Sequence, residues 1–447
     1  MFSVADNLNA DSNYVFLLRL LPRLIAQHPD WYFLYFFPDD IRFTYSPDGF
    51  FDSPNIIRIN YPFTTNKKRN IINFPADYLN DLFKKWPIDV LFNNCVELTP
   101  QLRALFQNYS AEAVPKIINQ HHYVFHHTLS YPTTKLADKG LALAQLSGAV
   151  CADVNIFNSL YCQKMLNDNF YYHWGKLPGY RSAIIPFGIE TIKTAPPQDP
   201  PVIVYNHRLA DYKNWRTTFA VYDDLARFRN FEVWVTGVNN QFLTEINHRR
   251  YTRLKKTKTH IEYMQAIAPG SLNSTNSEHE TFCISALESQ ALGHLLVAPK
   301  GLSFVELVPP DYPYLFTNEH EQKNILDWLL THPEEMKEWR KKLPDHTQKN
   351  FDLESFTQAW GKIINGFSAE RIININSLKK RARFESFIAV LKEEKNPIPF
   401  DLVRTKFERA MGGTQSFPPT KIKRLLNLSG LHDLVKQRRL YLQMKLT

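Results

Sequence analysis

Two carboxylates eight positions apart, Glu280 and Glu288, stand in the run Glu278-His-Glu-Thr-Phe-Cys-Ile-Ser-Ala-Leu-Glu288. The first falls in a polar loop and the second in an apolar-patterned helix; a glycine, Gly293, and a short hydrophobic strand over 295–298 follow. An ionised carboxylate only accepts hydrogen bonds and can take two donors, which suits a pair of vicinal hydroxyls. Upstream, Arg208 and Lys213 lie five apart, at the end of one strand and the start of a helix. A guanidinium fork, an ammonium point charge and a helix N-terminus together suit an anion such as a diphosphate. Both pairs also have bland readings: a capped helix with a solvated glutamate face, and an ordinary cationic strand end. Four histidines, His121, His122, His126 and His127, crowd the segment after a further strand. They fit a ligand-touching pair, a polar loop beside core histidines, or a loosely spaced metal site.

The elements that must carry these groups alternate. Continuous apolar strands are expected at 2–5, 31–37, 55–59, 90–92, 116–119, 154–157 and 183–186, with apolar residues at helical spacing over 14–27. Such strands separated by helices imply a parallel sheet covered on both faces. Four prolines within 196–201 make a stiff linker with few backbone donors. A second series follows: strand 202–205, helix 215–228, strand 231–236, helix 282–292, strand 295–298 and helix 321–330, then a helical stretch over 333–367. The fold class expected is α/β, with two doubly wound domains at 1–195 and 196–367 that bind ligands at the carboxyl ends of their strands. A third segment, 368–447, reads as a basic, mainly helical extension.

The bulk numbers agree with that division. At 447 residues the chain exceeds one ordinary core, and two or three domains are expected. Its 44% hydrophobic and 22% charged content is that of a soluble globular protein. The first residues lack the basic-then-apolar pattern of a signal peptide, and no apolar run approaches the roughly 18–20 residues that span a bilayer. Four scattered cysteines without a CxxC pair argue against a zinc site or a disulfide framework, and a cytoplasmic location is expected. The extension 368–447 carries 17 Lys/Arg against 7 Asp/Glu, a net +10, while the rest of the chain nets −1. A positive excess held in one segment points to a polyanionic partner.

The run 278–298 resembles the E-x7-E signature of retaining, nucleotide-sugar-dependent glycosyltransferases of the GT-B fold. Phe282, Ala291, Gly293, Val297 and Ala298 match as well, and Glu306 echoes the acidic residue that often follows. Asn206 to Trp215 resembles the family's Arg-and-Lys diphosphate clamp, and Gln120-His121 is similar to the place where superfamily members carry a histidine that touches the donor. The resemblance covers roughly 1–367. It implies two Rossmann-like domains facing a cleft and a closing helix that crosses back to the first domain. It implies donor binding by Arg208, Lys213, Glu280, Thr281, Phe282, Cys283 and Glu288, with Glu280 on sugar hydroxyls and Glu288 on ribose hydroxyls. His121 and Glu280 are the implied catalytic pair, with His122 as the alternative to His121. The donor is a nucleotide sugar such as a UDP-sugar, with no cofactor and no catalytic metal; the departing phosphate takes the acceptor proton on the same face. Two departures stand out. Thr281 and Cys283 replace the glycines of the usual Glu-Gly-Phe-Gly, and Asn7 to Asn13 replaces a glycine-rich loop.

For the acceptor, the first reading is a hydroxymethylated pyrimidine in DNA, similar to phage enzymes that glycosylate such bases; the host cytoplasm is then the location. Lys421, Lys423, Arg424, Arg438 and Arg439 are the expected phosphate contacts. The 206–215 and 279–288 segments also look like tRNA-queuosine mannosyltransferases. A second reading is a polysaccharide or lipid-linked glycan, with the basic amphipathic stretch 377–394 on an anionic membrane surface. A third is a nucleic-acid-binding protein with an inactive transferase fold.

Overall fold

The computed structural model describes residues 12–38, 53–61, 65–66, 71–72, 81, 86, 88–107, 114–126, 135–190, 192–236, 242–257 and 259–368. The expected strand 2–5, His127, and the extension beyond Ser368 with Lys421, Lys423, Arg424, Arg438 and Arg439 lie outside the described residues. The chain divides into two compact units. Helix α1 (Ser12–Gln27) contributes its first half to the larger and its second half to the smaller.

In the smaller unit, β1 (Phe33–Pro38) and β2 (Ile56–Tyr61) pair in parallel with Phe33 opposite Ile56. The amide of Asn55 donates to the carbonyls of Pro29 (3.0 Å) and Trp31 (2.7 Å), which fixes the entry to the pair. Leu20, Leu21, Leu24, Tyr35, Ile56 and Ile57 are buried there. β3 (Thr65–Asn66) and β4 (Ile71–Ile72) form a short antiparallel pair.

The larger unit holds two parallel sheets. The first is built from β5 (Val90–Asn93), α2 (Thr99–Gln107), β6 (Lys116–His121), α3 (Lys135–Cys151), β7 (Val154–Phe157), α4 (Leu160–Trp174) and β8 (Ser182–Ile184), with strand order β5-β6-β7-β8. Its interior is partly polar. Asn93 donates to Thr99 Oγ1 (2.9 Å) and Asn119 Oδ1 (3.2 Å), and Asn119 Nδ2 donates to the Gly148 carbonyl (3.0 Å). Asn155 Nδ2 donates to the Ala149 carbonyl (2.8 Å). A buried amide is tolerated only when bonded, and this ladder across three strands bonds each of its amides.

The second sheet follows the prolyl stretch. Its elements are β9 (Val202–Tyr205), α5 (Trp215–Leu225), β10 (Glu232–Val235), α6 (Leu243–Asn247), β11 (Thr252–Leu254), α7 (His260–Ile267), β12 (Leu272–Ser274), α8 (Ile284–Ala291), β13 (Leu295–Pro299), α9 (Phe304–Leu307), β14 (Leu315–Phe316) and α10 (Glu319–Thr331). The strand order is β11-β10-β9-β12-β13-β14. Order therefore reverses between β9 and β12, and open α/β sheets bind ligands beyond the strand ends at such a reversal.

Two helices close the described residues, α11 (Pro333–Phe351) and α12 (Leu353–Ser368). The expected single helical stretch over 333–367 breaks at Asp352, whose backbone is extended (φ −69°, ψ 146°) and whose carboxylate accepts from Ser355 N at 2.8 Å. This N-cap turns the chain so that Trp360 of α12 packs on Phe92 of β5 (5.3 Å) and Phe16 (5.5 Å). The last described helix thus packs on the first sheet.

Candidate functional site

The loops after β9 and β12 meet at the reversal of the second sheet. After β9 the chain runs through Asn206, His207 and Arg208 into a single 3-10 turn, Asp211–Lys213. Asn214 adopts φ +46°, a left-handed conformation that asparagine tolerates better than most residues, and starts α5 in a new direction. The loop after β12 is tied to that turn, since Glu278 N donates to the Tyr212 carbonyl at 3.0 Å. Lys213 and Glu280 are thereby brought together, and Lys213 Nζ donates to Glu280 Oε2. Both side chains are close to nine-tenths buried. Burial works against the Lys213 charge, but the Glu280 carboxylate, together with Cys283 and Tyr212, outweighs it and holds the ammonium above its ordinary pKa. Arg208 is exposed on the turn just beyond β9.

Glu288 sits one turn into α8, because the helix expected from 282 begins at Ile284. Thr281 and Phe282 are drawn elsewhere: Thr281 Oγ1 donates to the His122 carbonyl at 2.6 Å, and Phe282 packs against Phe187 (6.5 Å) and Phe351 (6.1 Å). The Glu288 carboxylate is buried among three partners. Arg19 Nη2 lies 2.5 Å and His260 Nε2 2.9 Å from Oε1, and Tyr263 donates to Oε2 at 3.0 Å. Burial alone raises a carboxyl pKa, but the bonds and charges of His260 and Arg19 reverse this and hold Glu288 at about 2.

Cys283 stands at the N-cap position of α8 with its thiol buried against Ser285 Oγ (3.4 Å) and His207 Nδ1 (3.8 Å), and burial pushes its pKa to about 12. Ser285 Oγ lies 3.0 Å from the same His207 nitrogen. Asn206 Nδ2 reaches Tyr263 Oη (2.8 Å) and the Ser285 carbonyl (2.9 Å), and its Oδ1 accepts from Asn273 of β12 (2.8 Å).

The histidines of the first sheet separate. β6 extends through His121, so that residue ends the strand instead of following it. Its ring is fully buried, stacked on Phe157 at 4.4 Å, with Nε2 2.9 Å from Asn155 Oδ1. Asn155 Nδ2 already donates to the Ala149 carbonyl, so Oδ1 faces the ring and His121 carries its proton on Nε2. Burial lowers its pKa to about 4, so the ring is neutral near pH 7. His122 contributes its carbonyl to Thr281 and sets its ring edge-on to Phe16 at 5.2 Å.

Ser159 carried no signal in the sequence, and Glu306 carried one that did not name its partners. Ser159 caps α4 by accepting from Cys162 N (2.9 Å) and also donates to the Thr281 carbonyl (2.5 Å). Glu306, the acidic echo, accepts from the backbone N–H groups of Leu160 (2.8 Å) and Tyr161 (2.7 Å). A carboxylate at the N-terminus of α4 satisfies open donors and the helix dipole. Arg19, His260 and Tyr263 were likewise invisible as partners of Glu288. Among the described residues no group of three or more His, Cys, Asp or Glu side chains is arranged to hold a metal ion, and no helix is long and apolar enough to cross a membrane.

The buried histidines set a pH dependence. Burial lowers His121 and His279 to about 4 and His207 and His294 to about 3. Below pH 6.5 the unfolded chain takes up protons that the folded one refuses, so stability is complete above 6.5 and is lost as pH falls through 4 to 3. The slope is roughly 1.4 kcal/mol per pH unit for each histidine protonated on unfolding. Glu288 adds a loss between about 4.5 and 2. The melting temperature is expected to drop steadily from pH 6.5 to 4 at constant ionic strength; a flat profile over that range contradicts the buried, neutral rings.

No protein-family model and no curated protein matches the sequence. Solved structures do. Sucrose-phosphate synthase from Thermosynechococcus elongatus is similar at 16% identity and TM-score 0.64, over 83% of this chain and 98% of that one. Anabaena HepE in complex with UDP-glucose is similar at 14% identity and TM-score 0.60, over 82% and 98%. The lipopolysaccharide outer core galactosyltransferase WaaB is similar at 12% identity and TM-score 0.57, over 82% and 98%. At these identities the likeness is one of fold. The GT-B fold of two Rossmann-like parts expected from the resemblance is the fold of this chain.

Proposed function

We propose that this chain is a glycosyltransferase that moves a sugar from a nucleotide-sugar donor to a hydroxyl acceptor. The observation that carries the reading is the buried Lys213–Glu280 pair at the sheet's reversal, with exposed Arg208 on the same turn and Glu288 one helical turn into α8. Lys213 and Arg208 supply positive charge for the departing diphosphate, which is where charge develops during transfer. Glu280 shares its carboxylate between Lys213 and the sugar hydroxyls, and Glu288 takes the ribose. Burial holds the His121 pKa to about 4, which makes its ring a weak base. The reading therefore keeps transfer on one face, with the leaving phosphate accepting the acceptor's proton, and the two cations stand in for a metal. The fold shared with HepE, seen with UDP-glucose, supports a UDP-sugar donor.

For the acceptor, a saccharide hydroxyl is supported by the named activities of sucrose-phosphate synthase and the outer core galactosyltransferase. A modified nucleic-acid base is a second reading, favoured by the net +10 of 368–447. The test is release of nucleoside diphosphate from a panel of nucleotide sugars, with oligosaccharide, lipid-linked glycan, tRNA or hydroxymethylated DNA added in turn. Release stimulated by one acceptor class identifies it. A panel in which no nucleotide sugar is bound or hydrolysed overturns the proposal.

A further inference from the structure

Arg19 lies far from every motif, yet it makes the shortest contact to Glu288. Arg19 is 8% exposed, and its guanidinium lies over the Phe187 ring at 5.0 Å and points Nη2 at both Glu288 Oε1 (2.5 Å) and His260 Nε2 (2.7 Å). Glu288 is 5% exposed. A carboxylate offers about four acceptor positions, and Arg19, His260 and Tyr263 address three of them here. A vicinal diol needs two. For Glu288 to accept a ribose, at least one partner has to yield its place.

The three partners are not equivalent. His260 and Tyr263 both belong to α7, whereas Arg19 comes from α1. One nitrogen of His260 cannot accept from Arg19 and donate to Glu288 at once, so the histidine adapts to whichever partner stays. Arg19 brings a permanent charge, and its release strands a cation unless an anion takes it. A nucleoside diphosphate supplies that anion on the same molecule as the diol. Resting on the donor-site reading above, we infer that Arg19 competes with ribose for Glu288 and that the donor's diphosphate draws it away. The exchange balances: Glu288 trades a guanidinium for hydroxyls, and Arg19 trades a carboxylate for phosphate. The device selects diphosphate-bearing ligands over bare nucleosides.

The experiment is calorimetric titration of the whole chain, as wild type, Arg19→Met and Arg19→Lys, with UDP, GDP, ADP and CDP and the matching nucleosides. With the competitor removed, Arg19→Met is expected to bind the nucleoside about tenfold more tightly, the change that follows when one charge-assisted hydrogen bond stops competing. The preference for diphosphate over nucleoside is expected to shrink by about tenfold or more. Arg19→Lys, which keeps the charge on a single donor point, falls between and guards against misfolding of the Met variant. A nucleoside affinity that is unchanged or weaker in both variants, with diphosphate still bound, overturns the competition but leaves the function standing. Absence of binding by every nucleotide, in wild type and variants alike, overturns the function and this inference together.

Discussion

Replacing Lys213 with Met is expected to lower sugar transfer by about 10²–10³-fold and to destabilise the fold by about 3–5 kcal/mol. The two losses have separate causes. Lys213 and Glu280 are each close to nine-tenths buried and face one another, so removing the cation leaves a carboxylate with neither water nor counter-charge. The catalytic loss comes from the missing charge where the diphosphate departs. The double change Lys213→Met with Glu280→Gln separates them: it removes both charges and is expected to recover most of the stability while transfer stays low. Steady-state release of nucleoside diphosphate and urea unfolding read the two effects. If the double variant transfers sugar as the wild type does, the pair is structural only and the proposed chemistry is wrong.

Gly148→Ala is expected to destabilise the chain by about 3 kcal/mol or more, opposite in sign to helix propensity. Alanine in a helix interior is better than glycine by roughly 1 kcal/mol, yet a Cβ on Gly148 meets the carbonyl oxygen of Val96 at 1.9 Å and its carbon at 2.7 Å. Both atoms are backbone and cannot swing aside, so α3 has to retreat. The Gly148 carbonyl also accepts from Asn119, so the retreat loosens the amide ladder that orients His121 through Asn155. Gly140, on the same helix with nothing within 4 Å of its Cβ position, is the control. Gly140→Ala is expected to stabilise by about 0.5–1 kcal/mol. Urea midpoints that shift the same way for both substitutions refute the close packing of α3 on Val96.

Much of this architecture is legible in the residues because buried parallel strands announce themselves. Val202 to Tyr205 is buried at every position, and its continuous apolar run follows from cover on both faces. β12 is not legible, although it positions the site. Leu272-Asn-Ser274 is three residues long and mostly polar, and its Asn273 is buried only because it donates to the carbonyl of Val204 and the side chain of Asn206. Likewise the start of α8 was misplaced because Phe282 has a helix-compatible pattern but spends its ring on Phe187 and Phe351. His121 looked like a loop residue, and β6 ran on to include it because Asn155 offered its ring a buried partner.

Residue types by themselves determined that this chain holds alternating α/β layers, an anion-suited Arg208–Lys213 pair, and carboxylates at Glu280 and Glu288. They determined these because burial on both faces of a strand, and the charge or acceptor capacity of a side chain, are local properties. Only the tertiary structure decided who meets whom. Lys213 meets Glu280 across 67 positions because β12 lies beside β9, and Arg19 meets Glu288 across 269 because the first half of α1 belongs to the same unit as α8. Strand order and helix packing choose such partners through global burial, and no spacing along the chain encodes them.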